Sequence, residues 1–407
     1  MQSRIYKRKI VEQILPFLDT DNILVLHGAR QVGKSSILKY LQSELTSKNK
    51  PNHYLDLEDS RNLDLLNGGV DTFLQYLGEI GFNLNQIQES NQRLFVFIDE
   101  IQYLQNPSSF LKLIVDHHKY IQLIVSGSSS FAIKSKFKDS LVGRTIEFVI
   151  YNLSFEEYLE FKGFKYDLEN LKTSKSIDEV VQKYYDYIYY GGYPKVVLTD
   201  DIKIKERILL QIVDTYVRRD IMEFTRIGEI SKFNNLIKLL AEQSGQLLNV
   251  SKLASLCSLS RQTVENYLFL LENTYIIKLL SPFSSSRGVE ISKASKIYFY
   301  DTGLMQAIRY KSLSKNVLGN SFETSIFAEL VKKYDIAEIN FWRTKSENEV
   351  DFILNNKEVL PLEVKLNFKQ FRLGSMQEFL KKYTLQNYRV VGLEGGEIVN
   401  GIYPWQI

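Results

Sequence analysis

The sequence predicts an α/β protein: a parallel-sheet core wrapped by helices, then a helical and winged-helix region, then a second, smaller α/β domain. Three observations carry that reading. At 407 residues the chain exceeds what one hydrophobic core usually serves, so two or three domains are expected. The first third alternates short apolar runs with helix-like stretches, the pattern of parallel strands covered on both faces. The last third holds a hairpin pattern, Glu349 to Lys365, in which carboxylates and a lysine stand where strands usually carry valine or threonine.

The first strands are expected at Ile23 to His27, His53 to Leu57, Leu94 to Ile98, Ile121 to Ser126 and Ile146 to Ile150. All but the last precede a helical stretch. Directly after the first comes Gly28-Ala29-Arg30-Gln31-Val32-Gly33-Lys34-Ser35-Ser36, whose Gly-x4-Gly-Lys-Ser spacing is that of a phosphate-binding P-loop. Glycines at these places let backbone N–H groups wrap phosphates at a helix N-terminus. The run from Gly28 to Ser36 is therefore the candidate site for ATP, with Lys34 reaching the β- and γ-phosphates and Ser35 on Mg²⁺. An amphipathic helix, marked by Ile37, Leu38 and Leu41, follows as the motif requires.

The strand ending at Ile98 runs into Asp99-Glu100, at the carboxyl end where open α/β sheets bind ligands. Asp99 is expected to hold Mg²⁺ and Glu100 to activate the attacking water. The strand ending at Ser126 continues into Gly127-Ser128-Ser129-Ser130, which places Ser128 beside the γ-phosphate or, equally, caps the next helix. Arg144 is a candidate arginine finger, since phosphoryl transfer gains from a cation met in the transition state. Its other reading is a surface salt bridge.

From Ser154 to about Glu229 the pattern is helical and tyrosine-rich, broken by Tyr190-Gly191-Gly192-Tyr193-Pro194. Three helical segments and two strands follow between Ile230 and Tyr300, with Ser251 and Ser260 as expected N-caps, an order that describes a winged helix-turn-helix. Arg261 on its third helix and Arg287, Lys293 and Lys296 on its wing are the candidate phosphate contacts for DNA or RNA, opposed by Glu265 and Glu272. The expected domains are residues 1–152, 153–229, 230–312 and 313–407.

In the hairpin, Asp351 lies on the first strand, while Glu363 and Lys365 stand two apart on the second and so share a face. Two carboxylates and an ammonium aimed at one place suit a Mg²⁺ ion and a scissile phosphate. They also suit a purely structural ion pair, and both readings stand open.

The motifs GARQVGKS, FIDEIQ, SGSSS, LVGR, YYGGYP, KIYFYDTGL, GNSFE, ENEVDFIL and LEVK, in this order, resemble a large prokaryotic family of AAA-type ATPases with a C-terminal domain of unknown function. The resemblance covers essentially the whole chain. It implies an ATP-binding AAA core, a winged-helix middle and a restriction-endonuclease-like C-terminal fold similar to the PD-(D/E)XK nucleases. In that fold Asp351, Glu363 and Lys365 match the catalytic hairpin, and Glu323 matches the additional helical acid that joins Asp351 and Glu363 as a metal ligand. The sensor strand departs from the wider AAA pattern, with serines where asparagine or threonine is more usual.

Composition excludes other classes. With 44% hydrophobic and 24% charged residues the chain is expected to fold rather than stay disordered. A net charge of +3 demands no polyanionic partner, so any nucleic-acid surface must be local. One cysteine, Cys257, forms neither an internal disulfide nor a cysteine zinc cluster. The basic start lacks a signal-peptide apolar region, and no run reaches membrane-spanning length, so a cytoplasmic protein without membrane contact is expected. The expected function is ATP hydrolysis whose nucleotide state controls a nuclease-like domain acting on nucleic acid, in a possible homo-oligomer. The alternative is a nucleotide-dependent, protein-binding switch with a catalytically silent platform.

Overall fold

The structure, a computed structural model, describes residues 5–127, 141–222, 230–283, 294–310, 313, 319–396 and 398–407, and only the backbone of 215–222. It divides into two compact units, Met1–Tyr151 and Asn152–Ile407.

The first unit is built on five parallel strands: β1 (Ile23–Gly28), β2 (Asn52–Asp56), β3 (Leu94–Asp99), β4 (Ile121–Gly127) and β5 (Thr145–Ile150). Their order is β2-β3-β4-β1-β5, with each expected strand found within a residue or two of its place. Every residue of β1, β3 and β4 is buried, as sheets covered on both faces require. One layer packs Val25, Val96 and Val125 against Phe73, Leu77, Phe110 and Ile114 from the helices. Because β4 lies between β1 and β3, its end at Ser126 sits between the glycine-rich loop and Asp99.

The second unit begins with a helix, Phe155–Phe161, held by a capping box between Ser154 and Glu157. The tyrosine-rich helix Ser174–Tyr190 ends at Gly191, whose φ of 74° is in the left-handed region. The Gly191-Gly192 break is a buried joint. Asp301, 3% exposed, accepts from the backbone N–H of Gly192 and of Leu304, both at 2.7 Å, and from Asn152 Nδ2. Burial raises the Asp301 carboxyl, and the Gly192 and Leu304 N–H groups pull it back.

Helices Ile230–Glu242, Val250–Cys257 and Arg261–Asn273 precede an antiparallel pair, β6 (Ile277–Leu280) and β7 (Lys296–Phe299). Ser260 caps the third helix, but the second is capped by Asn249, which accepts from Lys252 N–H, and Ser251 falls inside the helix. The final sheet comprises β8 (Ile339–Arg343), β9 (Glu349–Asn355), β10 (Val359–Asn367), β11 (Arg389–Glu394) and β12 (Gly401–Ile402). It runs β12-β11-β10-β9-β8, antiparallel through β8, β9 and β10 and parallel beyond. Helix Gly319–Lys333 packs on this sheet, and Phe379 and Met376 of helix Gly374–Tyr383 join Trp342, Val350 and Ile353 in its core.

Candidate nucleotide and acidic-cluster sites

The loop at the end of β1 is shaped by close approach. A Cβ on Gly28 would overlap the Ile150 carbonyl oxygen of β5, so only glycine lets the loop turn there. Gly33, at φ 99°, delivers the chain into the helix Lys34–Ser47. Lys34 is 5% exposed, and its Nζ donates to the carbonyl oxygens of Gly28 (3.1 Å) and Ala29 (2.7 Å). Arg8, which the sequence reading did not single out, braces the loop from outside: it donates to Val32 O at 2.8 Å and to Tyr151 O at 2.9 Å.

Asp99, 3% exposed, accepts from Tyr54 OH at 2.7 Å and from Ser126 Oγ. Burial first and Asp99 second hold the Tyr54 phenol well above its ordinary range, keeping it a donor. Ser126 Oγ in turn accepts from the Glu100 N–H at 3.4 Å. Glu100 adopts a left-handed backbone, φ 58°, a costly conformation that tends to mark sites where geometry is dictated by function. Its carboxylate accepts from Gln102 Nε2. These groups fit Mg-ATP: a glycine-rich loop whose turn against Ile150 admits no Cβ at Gly28, a helix N-terminus behind it, a lysine over the loop and a buried carboxylate across from it.

Two expected contributors stand differently. Ser128 lies outside the described residues, while Ser126 occupies the corresponding strand end. Arg144 pairs with Asp116 through two bonds, 2.7 and 3.2 Å, the bland reading of that residue. The arginine-finger role therefore requires this pair to open.

The acidic cluster lies within the second unit. Asp351 on β9 is 8% exposed. Its Oδ2 accepts from the Val364 N–H of β10 at 2.8 Å and faces Lys365 Nζ at 3.6 Å. Lys365 Nζ donates to Glu363 Oε1 at 2.6 Å. Glu363 Oε2 is buried with no hydrogen-bond partner among the described residues. Burial, then Asp351, pushes the Glu363 carboxyl up to about 8 against the pull of Lys365. Glu323, on helix Gly319–Lys333, accepts from Tyr298 OH at 2.6 Å, and burial raises it to about 7.

Lys296 corrects the sequence reading. It was expected on an exposed wing facing phosphate, but it is 2% exposed, and its Nζ forms ion pairs with Glu323 (3.2 Å), Glu349 and Asp351 (3.9 Å). Burial pulls Lys296 down, yet Glu323, Asp351 and Glu349 outweigh it and hold the ammonium above its usual range. Glu349, also missed, takes a further pair from Arg343 Nη1 at 2.6 Å. The carboxylates Glu323, Asp351 and Glu363 are thus gathered around ammonium groups. Among the described residues no set of three His, Cys, Asp or Glu side chains is arranged to hold a metal. The donor set itself suits Mg²⁺, all hard oxygen with one buried oxygen unsatisfied.

Arg261 pairs with Glu265 at 2.8 Å and Gln262 with Asn266 at 3.1 Å. Arg287 and Lys293 lie outside the described residues.

A parallel sheet of this order, with a glycine-rich loop ending β1 and a buried carboxylate ending β3, is an α/β core resembling the P-loop NTPases. Residues 20–159 match the AAA domain model, which supports an AAA-type ATPase family. Residues 181–315 and 318–400 match two domains of unknown function, DUF8612 and DUF4143. An uncharacterized protein of Methanocaldococcus jannaschii is 27% identical over 398 residues, 95% of this chain and 84% of its own. Another, of Haemophilus influenzae, is 28% identical over 375 residues, 89% and 87% respectively. The solved AMPPCP-bound DnaA from Aquifex aeolicus is 16% identical with a TM-score of 0.29, over 65% of this chain and 86% of that one. No helix among the described residues is long and apolar enough to cross a membrane.

Proposed function

We propose that the chain is a Mg²⁺-dependent ATPase of AAA type whose nucleotide state controls its C-terminal, nuclease-like domain. The observation that carries the ATPase reading is the loop Gly28–Ser35 closed over Lys34, with Asp99 buried against Ser126 and Tyr54. Gly28 to Ser36 bind the phosphates, Lys34 neutralises them, Ser35 and Asp99 hold the metal, and Glu100 orients water. Arg144 serves a neighbouring copy in an oligomer. The helices and strands of residues 230–299 act as a winged helix against DNA or RNA, and Asp351, Glu363, Lys365 and Glu323 form the nuclease-like site.

One observation favours a second reading, a protein-binding switch on a silent platform: Lys296 and Lys365 already pair with the acids that a metal requires. The two readings share an ATPase and diverge at the cluster. Lys34→Ala is expected to abolish binding of a fluorescent ATP analogue, whereas Glu100→Gln retains binding and hydrolyses about a hundredfold more slowly. Cleavage of single-stranded, duplex or structured nucleic acid that needs Mg²⁺ and is lost in Asp351→Ala supports the nuclease. Intact substrates under ATP and Mg²⁺ leave the platform.

A further inference from the structure

We propose that Lys296 is a built-in cation that closes the acidic cluster to divalent metal, so that the site takes a metal only when β7 withdraws this side chain. The inference rests on the nuclease-like reading of Asp351, Glu363 and Glu323. Asp351 is held from both sides: Lys296 faces its Oδ1 at 3.9 Å, while Lys365 faces its Oδ2 at 3.6 Å, and the Val364 N–H also takes Oδ2. The oxygen left for a metal is Oδ1, and Lys296 stands on that side.

The same ammonium takes Glu323 and Glu349, so one residue from β7 meets carboxylates from helix Gly319–Lys333 and from β9. Tyr298, two residues along β7, also donates to Glu323. Withdrawal of this strand would release all of these contacts together. Four carboxylates, Glu323, Glu349, Asp351 and Glu363, are gathered with three cations, Lys296, Lys365 and Arg343. A cluster that served only to join elements would be expected to satisfy its buried oxygens, yet Glu363 Oε2 has no partner among the described residues. The other oxygen of Glu363, Oε1, shares Lys365 with Asp351, so the unsatisfied acceptor belongs to the cluster that Lys296 closes.

The test is Mn²⁺ binding to the full, nucleotide-free chain, followed by electron paramagnetic resonance, in wild type, Lys296→Met, Lys296→Gln, Asp351→Asn and Lys296→Met/Asp351→Asn, with circular dichroism to verify folding. Either Lys296 single variant is expected to bind Mn²⁺ at least about tenfold more tightly than wild type, and the double variant to lose that gain. Folded Lys296 single variants that bind no more tightly than wild type overturn the proposal. Wild-type binding that Asp351→Asn removes overturns the closure while sparing the nuclease-like reading; no metal site in the folded Lys296 single variants sinks both. If neither Lys296 single variant folds, the wild-type comparison with Asp351→Asn decides alone: binding removed by that substitution overturns closure, and its absence supports it.

Discussion

Glu363 shows how far a single carboxyl can be driven by its surroundings. It is raised from an ordinary glutamate value to about 8, chiefly by burial, so between about 4.5 and 8 the folded chain holds a proton that the unfolded chain has released. A state that binds more protons is disfavoured as pH rises, so this group lowers stability across that window. Urea unfolding is expected to give a free energy that falls from pH 5 to pH 8, with a shallower fall in Glu363→Gln; parallel slopes in the two proteins would remove the assignment. Other residues differ in how legible they are from sequence. The places of Lys34 and Asp99 are readable because a glycine-rich loop between strand and helix, and an acid ending a buried strand, are set by local spacing. Lys296 and Arg8 are not, because their partners lie far along the chain: Glu323 is 27 residues from Lys296, and Tyr151 is 143 from Arg8. A charged residue opening a strand looks the same in sequence whether it meets solvent or a distant carboxylate.

Among elements, the joint between helix Ser174–Tyr190 and helix Thr302–Tyr310 depends on bare backbone. A Cβ on Gly303 would overlap the Tyr190 carbonyl oxygen, although Gly303 lies within a helix, where alanine is ordinarily better by about 1 kcal/mol. Packing should win over propensity here. Gly303→Ala is expected to destabilise the chain by about 1 to 3 kcal/mol in urea unfolding. Gly78, also helical and with open space around its missing Cβ, is the matched control, and Gly78→Ala is expected to stabilise by about 1 kcal/mol. Equal effects of the two would mean that the Tyr190 contact is not tight. The strands were legible because fully buried parallel strands must be apolar throughout, and the hairpin because its turn and alternation are local. The cap of helix Val250–Cys257 was misplaced by two residues because Asn249 and Ser251 are both competent caps, and only the backbone decides which one serves.

On the scale of the whole molecule, the sequence suggests borders at 152, 229 and 312, and contacts draw one between Tyr151 and Asn152. The later segments share one compact unit. Lys296 and Asp301 tie the middle of the chain to Glu323 and Gly192, and Glu329 accepts from Tyr187 OH at 2.6 Å. Those links join residues remote in sequence, so no composition shift announces them. If ATP in the first unit governs the acidic cluster in the second, the effect is a coupling free energy and must be reciprocal. Adding Mg-ATP should change hydrogen exchange of the backbone at residues 296–299 and 349–355, and Lys34→Ala should abolish the change. In Lys296→Met, where the proposed metal site is open, any factor by which ATP alters Mn²⁺ affinity must equal the factor by which Mn²⁺ alters ATP affinity. Exchange in those strands that ignores nucleotide, with both factors at unity, would leave an ATPase and an acidic cluster that merely share a chain. A matched change in the two affinities would instead make withdrawal of Lys296 the step through which nucleotide acts.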